Sequence, residues 1–162
     1  MIEVAESQRQ TEALLKRFIQ EKAQGYDFVF LDCPPTISVF TQAAFLACDK
    51  YLVPIKPDPL SVVGLPLLER WMADYAHITG HDVRQIGLVF TMVRNPQPTQ
   101  MAEVMRGLRR DRRTQLFTAH LSQSTIIAGS MAPSTPSVVR KPRSKSAIEL
   151  RAITAEFLAK VA

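Results

Sequence analysis

The chain has 162 residues, of which 46% are hydrophobic, 7% aromatic and 22% charged. That length holds one domain, residues 1–162, able to bury roughly 70% of its unfolded surface; the composition excludes a disordered chain, a coiled coil and a fibrous repeat, and no run reaches the ~20 apolar residues of a membrane span. The net charge of +5 is concentrated: residues 106–113 and 140–145 each carry +4, which leaves the rest of the chain at −3 and points to a polyanionic partner as the alternative to two solvated basic surfaces.

Residues 5–24 read as a helix with Leu14, Leu15, Phe18 and Ile19 on one stripe, ended by Gly25. The run from Tyr26 to Asp32 is short and apolar, as expected of a strand buried on both faces of a parallel sheet, and Pro34 and Pro35 stop it. A helix is expected over 39–47 and a strand over 50–55. After the break at Lys56-Pro57-Asp58-Pro59, Ser61 is expected to cap a helix with Leu65, Leu68, Met72 and Tyr75 inward, closed by Gly80. A strand over 86–93, a helix over 99–112 and a short strand over 114–118 follow. Residues 130–143 read as a loop, and the Ser146/Glu149 spacing as a capping box for a last helix with Leu150, Ile153, Phe157 and Val161 inward. This alternation predicts an α/β fold with a doubly wound, mostly parallel sheet and helices on both faces.

Ligands of such sheets bind beyond the carboxyl ends of the strands. The functional question therefore falls on Asp32-Cys33-Pro34-Pro35, on Ile55-Lys56-Pro57-Asp58 and on the run from Thr91 to Asn95. Asp32 is the first candidate, because a carboxylate closing an apolar strand needs a charged or hydrogen-bonding partner. It can hold a divalent cation at a phosphate, or it can cap the helix that follows.

The stretch from Tyr26 to Trp71 resembles the ParA/MinD family of deviant-Walker P-loop ATPases through Tyr26, Asp27, Asp32, Cys33, Pro34, Pro35, Ala44, Ala47, Asp49, Val53, Pro54, Gly64 and Leu65. The strand from Ile86 to Val93, the segment from Ala132 to Val139 and the closing helix with Glu149 and Glu156 are also similar to that family. The resemblance implies a P-loop NTPase-like fold and a cytoplasmic, dimeric protein of plasmid or chromosome partitioning. Its expected ligands are ATP and Mg²⁺, and its expected partners are non-specific DNA and a ParB-like stimulating protein. Asp32 matches the Walker B acid that holds Mg²⁺ through water, Pro34 and Pro35 begin the switch that follows it, and Thr91, Arg94 and Asn95 fall where the family lines the adenine side.

The departures are equally specific. A phosphate cradle needs clustered glycines whose amides converge on the anion. The six glycines are Gly25, Gly64, Gly80, Gly87, Gly107 and Gly129; none adjoins another and none is followed by lysine. Thr36-Ile37-Ser38 replaces the family's glycine after Pro-Pro, Ala43 stands for its helix asparagine, and the loop near Thr135-Pro136 lacks its glycine. The expectation is a truncated or non-catalytic form, or one half of a split protein, without the N-terminal strands. Such a chain would not hydrolyse ATP alone, and a homodimer or a missing N-terminal half would complete it. The alternative is a non-catalytic DNA-binding or protein-interaction module on the same fold.

Arg106, Arg109, Arg110 and Arg113 share one face of the expected 99–112 helix and its end, with Met101, Val104, Met105 and Leu108 on another. Such a face can lie along phosphates, with Arg140, Lys141, Arg143 and Lys145 as a second contact; the alternative is an exposed face that aids solubility. No aromatic residue interleaves with them, so stacking on single-stranded bases is not expected. His77, His81 and His120 lack metal-ligand spacing. Two cysteines form neither a disulfide framework nor a zinc cluster, Cys33 is expected to be buried, and Trp71 to be a packing residue. The N-terminal sequence lacks the apolar core of a leader.

Overall fold

The computed structural model of the chain describes residues 13–34, 36–111, 115–129 and 135–162. Helix α1 covers 13–22 and ends where the Ala23 amide donates to the Ile19 carbonyl and Gly25 takes φ +92°. Helix α2, Val39–Ala47, starts on Ser38, whose Oγ accepts from the Thr41 amide. Strand β1 is Lys50–Ile55 and strand β2 is Arg84–Phe90. The Arg84 amide donates to the Asp49 carbonyl and the Thr91 amide to that of Ile55, so the two strands advance in the same direction.

Helix α3, Pro59–Thr79, begins earlier than Ser61 implied. Asp58 is its cap: Oδ1 accepts from the Ser61 amide at 2.9 Å. Pro59 takes the first helical position, where no amide is needed. Ser61 is thus the donor that is capped, not the cap. Helix α4 is Thr99–Arg110; it stops before Arg112, which with Arg113 and Thr114 lies outside the described residues. Short helix α5 is Thr125–Ala128, and short helix α6, Ser137–Arg140, forms within the 130–143 stretch expected to be a loop. The last helix, α7, is Lys145–Val161. Its cap is Ser144, whose Oγ accepts from the Ala147 amide at 3.3 Å, so the Ser146/Glu149 capping box does not form.

Two compact units divide the chain, Met1–Tyr51 with Met72–Arg84 and Leu52–Trp71 with Gln85–Ala162. In the first, α2 turns Thr41, Ala43 and Ala44 inward. The Tyr75 hydroxyl donates to the Gln42 carbonyl at 3.1 Å, Nε2 of His81 meets the Cys48 carbonyl at 2.9 Å, and Phe45 and Tyr51 pack edge to face. The expected buried strand at Tyr26–Asp32 is not present. Residues 28–34 carry no strand assignment, and Phe28, Val29 and Phe30 are exposed. Apolar composition alone does not bury a strand; a sheet position on both sides does.

In the second unit, Ile55, Leu88, Phe90, Val93, Met101 and Met105 form the core, with Val53, Leu65, Leu108 and Leu116 packed on it. Ile86 to Phe90 are all buried, the pattern of a central strand. Of the expected strand at 114–118, whose Thr114 lies outside the described residues, one parallel bridge forms, Leu88 with Leu116; a second, Val93 with Ser122, lies beyond it. Gly87 permits this pairing: it has φ +146°, and a Cβ there would stand 2.5 Å from the Gln115 carbonyl oxygen. Among the described residues, no helix is long and apolar enough to cross a membrane.

Candidate functional site

The sequence candidates fall into three places. Asp32, Cys33 and Pro34 lie in the first unit, exposed, at the rim of an open apolar cavity of about 340 Å³ that Leu15, Leu31, Phe40 and Ala43 help to line. Pro35 lies outside the described residues. The helix after Asp32 is capped by Ser38, so Asp32 has no role as its cap. Cys33 is exposed rather than buried, because the segment that carries it is not taken into a sheet. Partial burial and the neighbouring Asp32 carboxylate push its thiol pKa above the ordinary value, which makes it a poor thiolate nucleophile at neutral pH.

The carboxyl ends of β1 and β2 lie in the second unit. Lys56 Nζ is 3.4 Å from Asp58 Oδ2. The Ser61 amide, then the Ser61 side chain and Lys56, hold the Asp58 carboxyl below the usual carboxylate range. Beyond β2 the chain takes an unusual path: Met92 has φ +55°, in the left-handed region rare for a side chain of its size. The turn is secured on its far side. The Val93 amide donates to the Leu121 carbonyl at 3.1 Å, and the Gln123 amide to that of Val93 at 2.9 Å. The side chain of Val93 is buried at 3% exposure, while Arg94 and Asn95 face solvent. Arg94 Nε donates to Gln123 Oε1 at 3.3 Å.

Two residues missed as functional candidates anchor that far side. Glu149 Oε2 accepts from the Ser122 amide at 2.8 Å and Oε1 from the Ser122 hydroxyl at 2.7 Å. Glu156, two turns along α7, accepts from the Thr118 and Ala119 amides at 3.0 Å. Burial pushes the Glu149 carboxyl up, but the Ser122 hydrogen bonds and then Lys145 and His120 outweigh it, so its pKa lies below the usual carboxylate value. The signal was in the sequence. Acids seven apart share a helix face, and these two flank the inward positions Ile153 and Phe157.

The third place is basic. On α4, Met101 and Met105 are buried and Leu108 is half-buried, while Arg106, Arg109 and Arg110 are exposed. The helix is therefore a packed bar with a guanidinium face; Arg113 lies outside the described residues. Arg140 ends α6, and Arg140, Lys141 and Arg143 are exposed, whereas Lys145 approaches Glu149 at 3.7 Å. Among the described residues, no group of three or more His, Cys, Asp or Glu could hold a metal ion. A lone exposed Asp32 fits a cation held through water against a bound phosphate, not a cation held by protein ligands alone.

The parallel pairing of β1 and β2, with helices before and after each strand in the chain, is that of an α/β protein. Its fold matches that of the Pyrococcus furiosus cell division ATPase MinD, with a TM-score of 0.65 at 20% identity over 91% of this chain and 58% of that one. A family model described as an AAA domain matches residues 2–80. The virulence plasmid ParA family protein pGP5-D of Chlamydia psittaci is 22% identical over 86% of this chain and 52% of its own length. The sporulation initiation inhibitor protein Soj of Bacillus subtilis is 22% identical over 84% of this chain and 53% of its own length. The chain spans about half the length of the curated relatives it matches. The family model, the curated relatives and the fold match together support a ParA/MinD-type P-loop ATPase family.

Proposed function

We propose that this chain is a ParA-like protein of plasmid or chromosome partitioning that binds DNA without sequence preference, in a way linked to ATP. The observation that carries the reading is the guanidinium face of α4. Three arginines stand exposed on a helix anchored by buried Met101 and Met105, so the charges are held on a rigid support that can track phosphates. Arg140, Lys141 and Arg143 add a second contact, and Arg113, outside the described residues, is a further candidate. The names of relatives agree with this reading: one is a plasmid ParA family protein, and another, from Myxococcus xanthus, is a chromosome partitioning protein ParA.

In this reading Asp32 holds Mg²⁺ through water beside the ATP phosphates, Pro34 and Pro35 form the switch after it, and Thr91, Arg94 and Asn95 face the base. No glycine of this sequence is followed by lysine, so the amide cradle and the lysine that offset phosphate charge come from residues beyond these 162, in a longer chain or a second polypeptide. The protein acts in the cytoplasm, as a homodimer or completed by an N-terminal half, with a ParB-like stimulating protein as partner. The missing cradle also favours a second reading, a non-catalytic DNA-binding module on the same fold.

The test is a fluorescence-anisotropy titration of a random-sequence duplex across a salt series, with and without Mg-ATP. Wild type should lose affinity with salt, and the double variant Arg109→Ala, Arg110→Ala should lower the log–log slope by about 2. An unchanged slope refutes the DNA-binding face. Affinity that responds to Mg-ATP in wild type but not in Asp32→Ala supports the ATP-linked reading, and affinity indifferent to nucleotide supports the second.

A further inference from the structure

The residues after β2 do not hold their own shape. Val93 is held by a segment distant in sequence, 118–123; the Arg94 amide donates to Met101 Sδ at 3.4 Å while its guanidinium meets Gln123 of that segment, which is in turn held by carboxylates on α7. The chain of contacts is continuous. Glu149 takes both the amide and the hydroxyl of Ser122, at 2.8 and 2.7 Å. Glu156 takes the amides of Thr118 and Ala119. Between those anchors Leu121 accepts from the Val93 amide, and its own amide donates to the Phe90 carbonyl at 2.8 Å. Next to Ser122, Gln123 donates its amide to the Val93 carbonyl and offers its side-chain oxygen to Arg94 Nε.

We propose that Glu149, supported by Glu156, is a positioning residue for the Thr91–Asn95 turn: by holding Ser122 it sets Gln123, and through Gln123 it aims the Arg94 guanidinium. The assignment of that turn to the base side of a nucleotide rests on the function proposed above; the positioning itself rests on the hydrogen bonds alone. The carboxylate suits the task physically. Its two oxygens accept two donors of one residue at once, and charge-assisted hydrogen bonds of this length are about twice as strong as neutral ones. A glutamine in its place can accept only through one oxygen. The charged groups facing Glu149 are Lys145 on its own helix and His120 on the held segment. Both favour the charged carboxylate, which keeps the Ser122 bonds.

The test uses the full chain, ¹⁵N-labelled, as wild type, Glu149→Gln, Glu149→Asp and Ser122→Ala. Amide exchange and the Arg94 Nε–H resonance are followed. In Glu149→Gln, exchange at Ser122, Val93 and Gln123 should rise about tenfold for the loss of one charge-assisted bond, and the Arg94 Nε–H should move to the position of a solvated arginine. The amides of Leu88 and Phe117 should keep their protection, and Glu149→Asp should restore part of the Arg94 signal. Unchanged signals at Val93, Gln123 and Arg94 overturn the proposal. So does a uniform rise that includes Leu88 and Phe117, since that is general loosening. If Glu149→Gln does not fold, Ser122→Ala removes only the hydroxyl bond, and a silent Arg94 in that variant overturns the proposal equally. The readout needs no nucleotide, so it decides the positioning separately from the nucleotide reading, which the Mg-ATP arms of the anisotropy titration address.

Discussion

Replacing Gly87 by alanine tests how the sheet of the second unit is assembled. At φ +146° the residue lies where a side chain is strained whatever the space around it, which costs roughly 1–3 kcal/mol. The added Cβ would also stand 2.5 Å from the Gln115 carbonyl oxygen and 3.0 Å from the Phe117 ring, where ordinary contact begins at 3.4 Å. That oxygen cannot retreat freely, because it accepts from the Leu88 amide at 2.7 Å, and the Phe117 amide donates back to Leu88 at 2.8 Å. Relieving the overlap weakens one or both bonds, each worth about 1 kcal/mol. The sum is roughly 2–5 kcal/mol, a large part of the 5–15 kcal/mol that holds a typical domain together. Guanidinium unfolding and thermal melting read it, and Tm should fall by roughly 4–20 °C. Gly64→Ala is the matched control. It lies inside α3 with nothing within 4 Å of its Cβ position, and it should stabilise by about 0.5–1 kcal/mol. A Gly87→Ala variant within about 1 kcal/mol of wild type would refute the account of β2 as a strand that only glycine allows its neighbour to approach.

Three further outcomes are expected. Because the folded Glu149 carboxyl has its pKa below the unfolded value, its contribution is complete at neutral pH and disappears as pH falls through the carboxylate range; urea unfolding from pH 7 to 3 should have a shallower acid limb in Glu149→Gln, and identical limbs would contradict the shift. Phe117→Ala removes a ring only 1% exposed, with Lys160 Nζ 5.2 Å from its centroid, and should cost about 3–5 kcal/mol in the same assay. Phe30 and Phe40 are 73% and 71% exposed, so Phe30→Ser with Phe40→Ser should reduce self-association in sedimentation while shifting stability by less than about 1 kcal/mol; unchanged self-association would separate these rings from any interface.

Much of the architecture was legible because it is written in local chemistry. Val39–Ala47 and Lys50–Ile55 take the expected bounds, since a serine cap and a short apolar run between breakers leave little choice. On α3, Leu65 and Leu68 in the second unit and Met72 and Tyr75 in the first are each at least half-buried, at the spacing of a 3.6-residue period. The errors share a cause. Tyr26–Asp32 has the composition of a buried strand but no such environment in this structure. Ser61 and Ser146 had the right chemistry for caps, yet Asp58 and Ser144 occupy the positions where the backbone turns into the helix. The site follows the same division. The exposed arginines of α4 followed from spacing alone, whereas the partners of Arg94 and Val93 came from residues about 30 positions away.

The sequence by itself determined helices α2, α3, α4 and α7 with strands β1 and β2, the α/β class, the family resemblance and the arginine face of α4. Those are matters of period, composition and motif, which neighbouring residues decide among themselves. Only the tertiary structure decided that Gly87 admits the 115–117 segment to β2, that Glu149 and Glu156 hold the 118–122 backbone, and that Gln123 thereby reaches Arg94. A hydrogen bond between residues far apart in the chain depends on where packing brings them. No local propensity encodes that meeting, and only burial of the shared core around Leu88, Phe90 and Val93 fixes it.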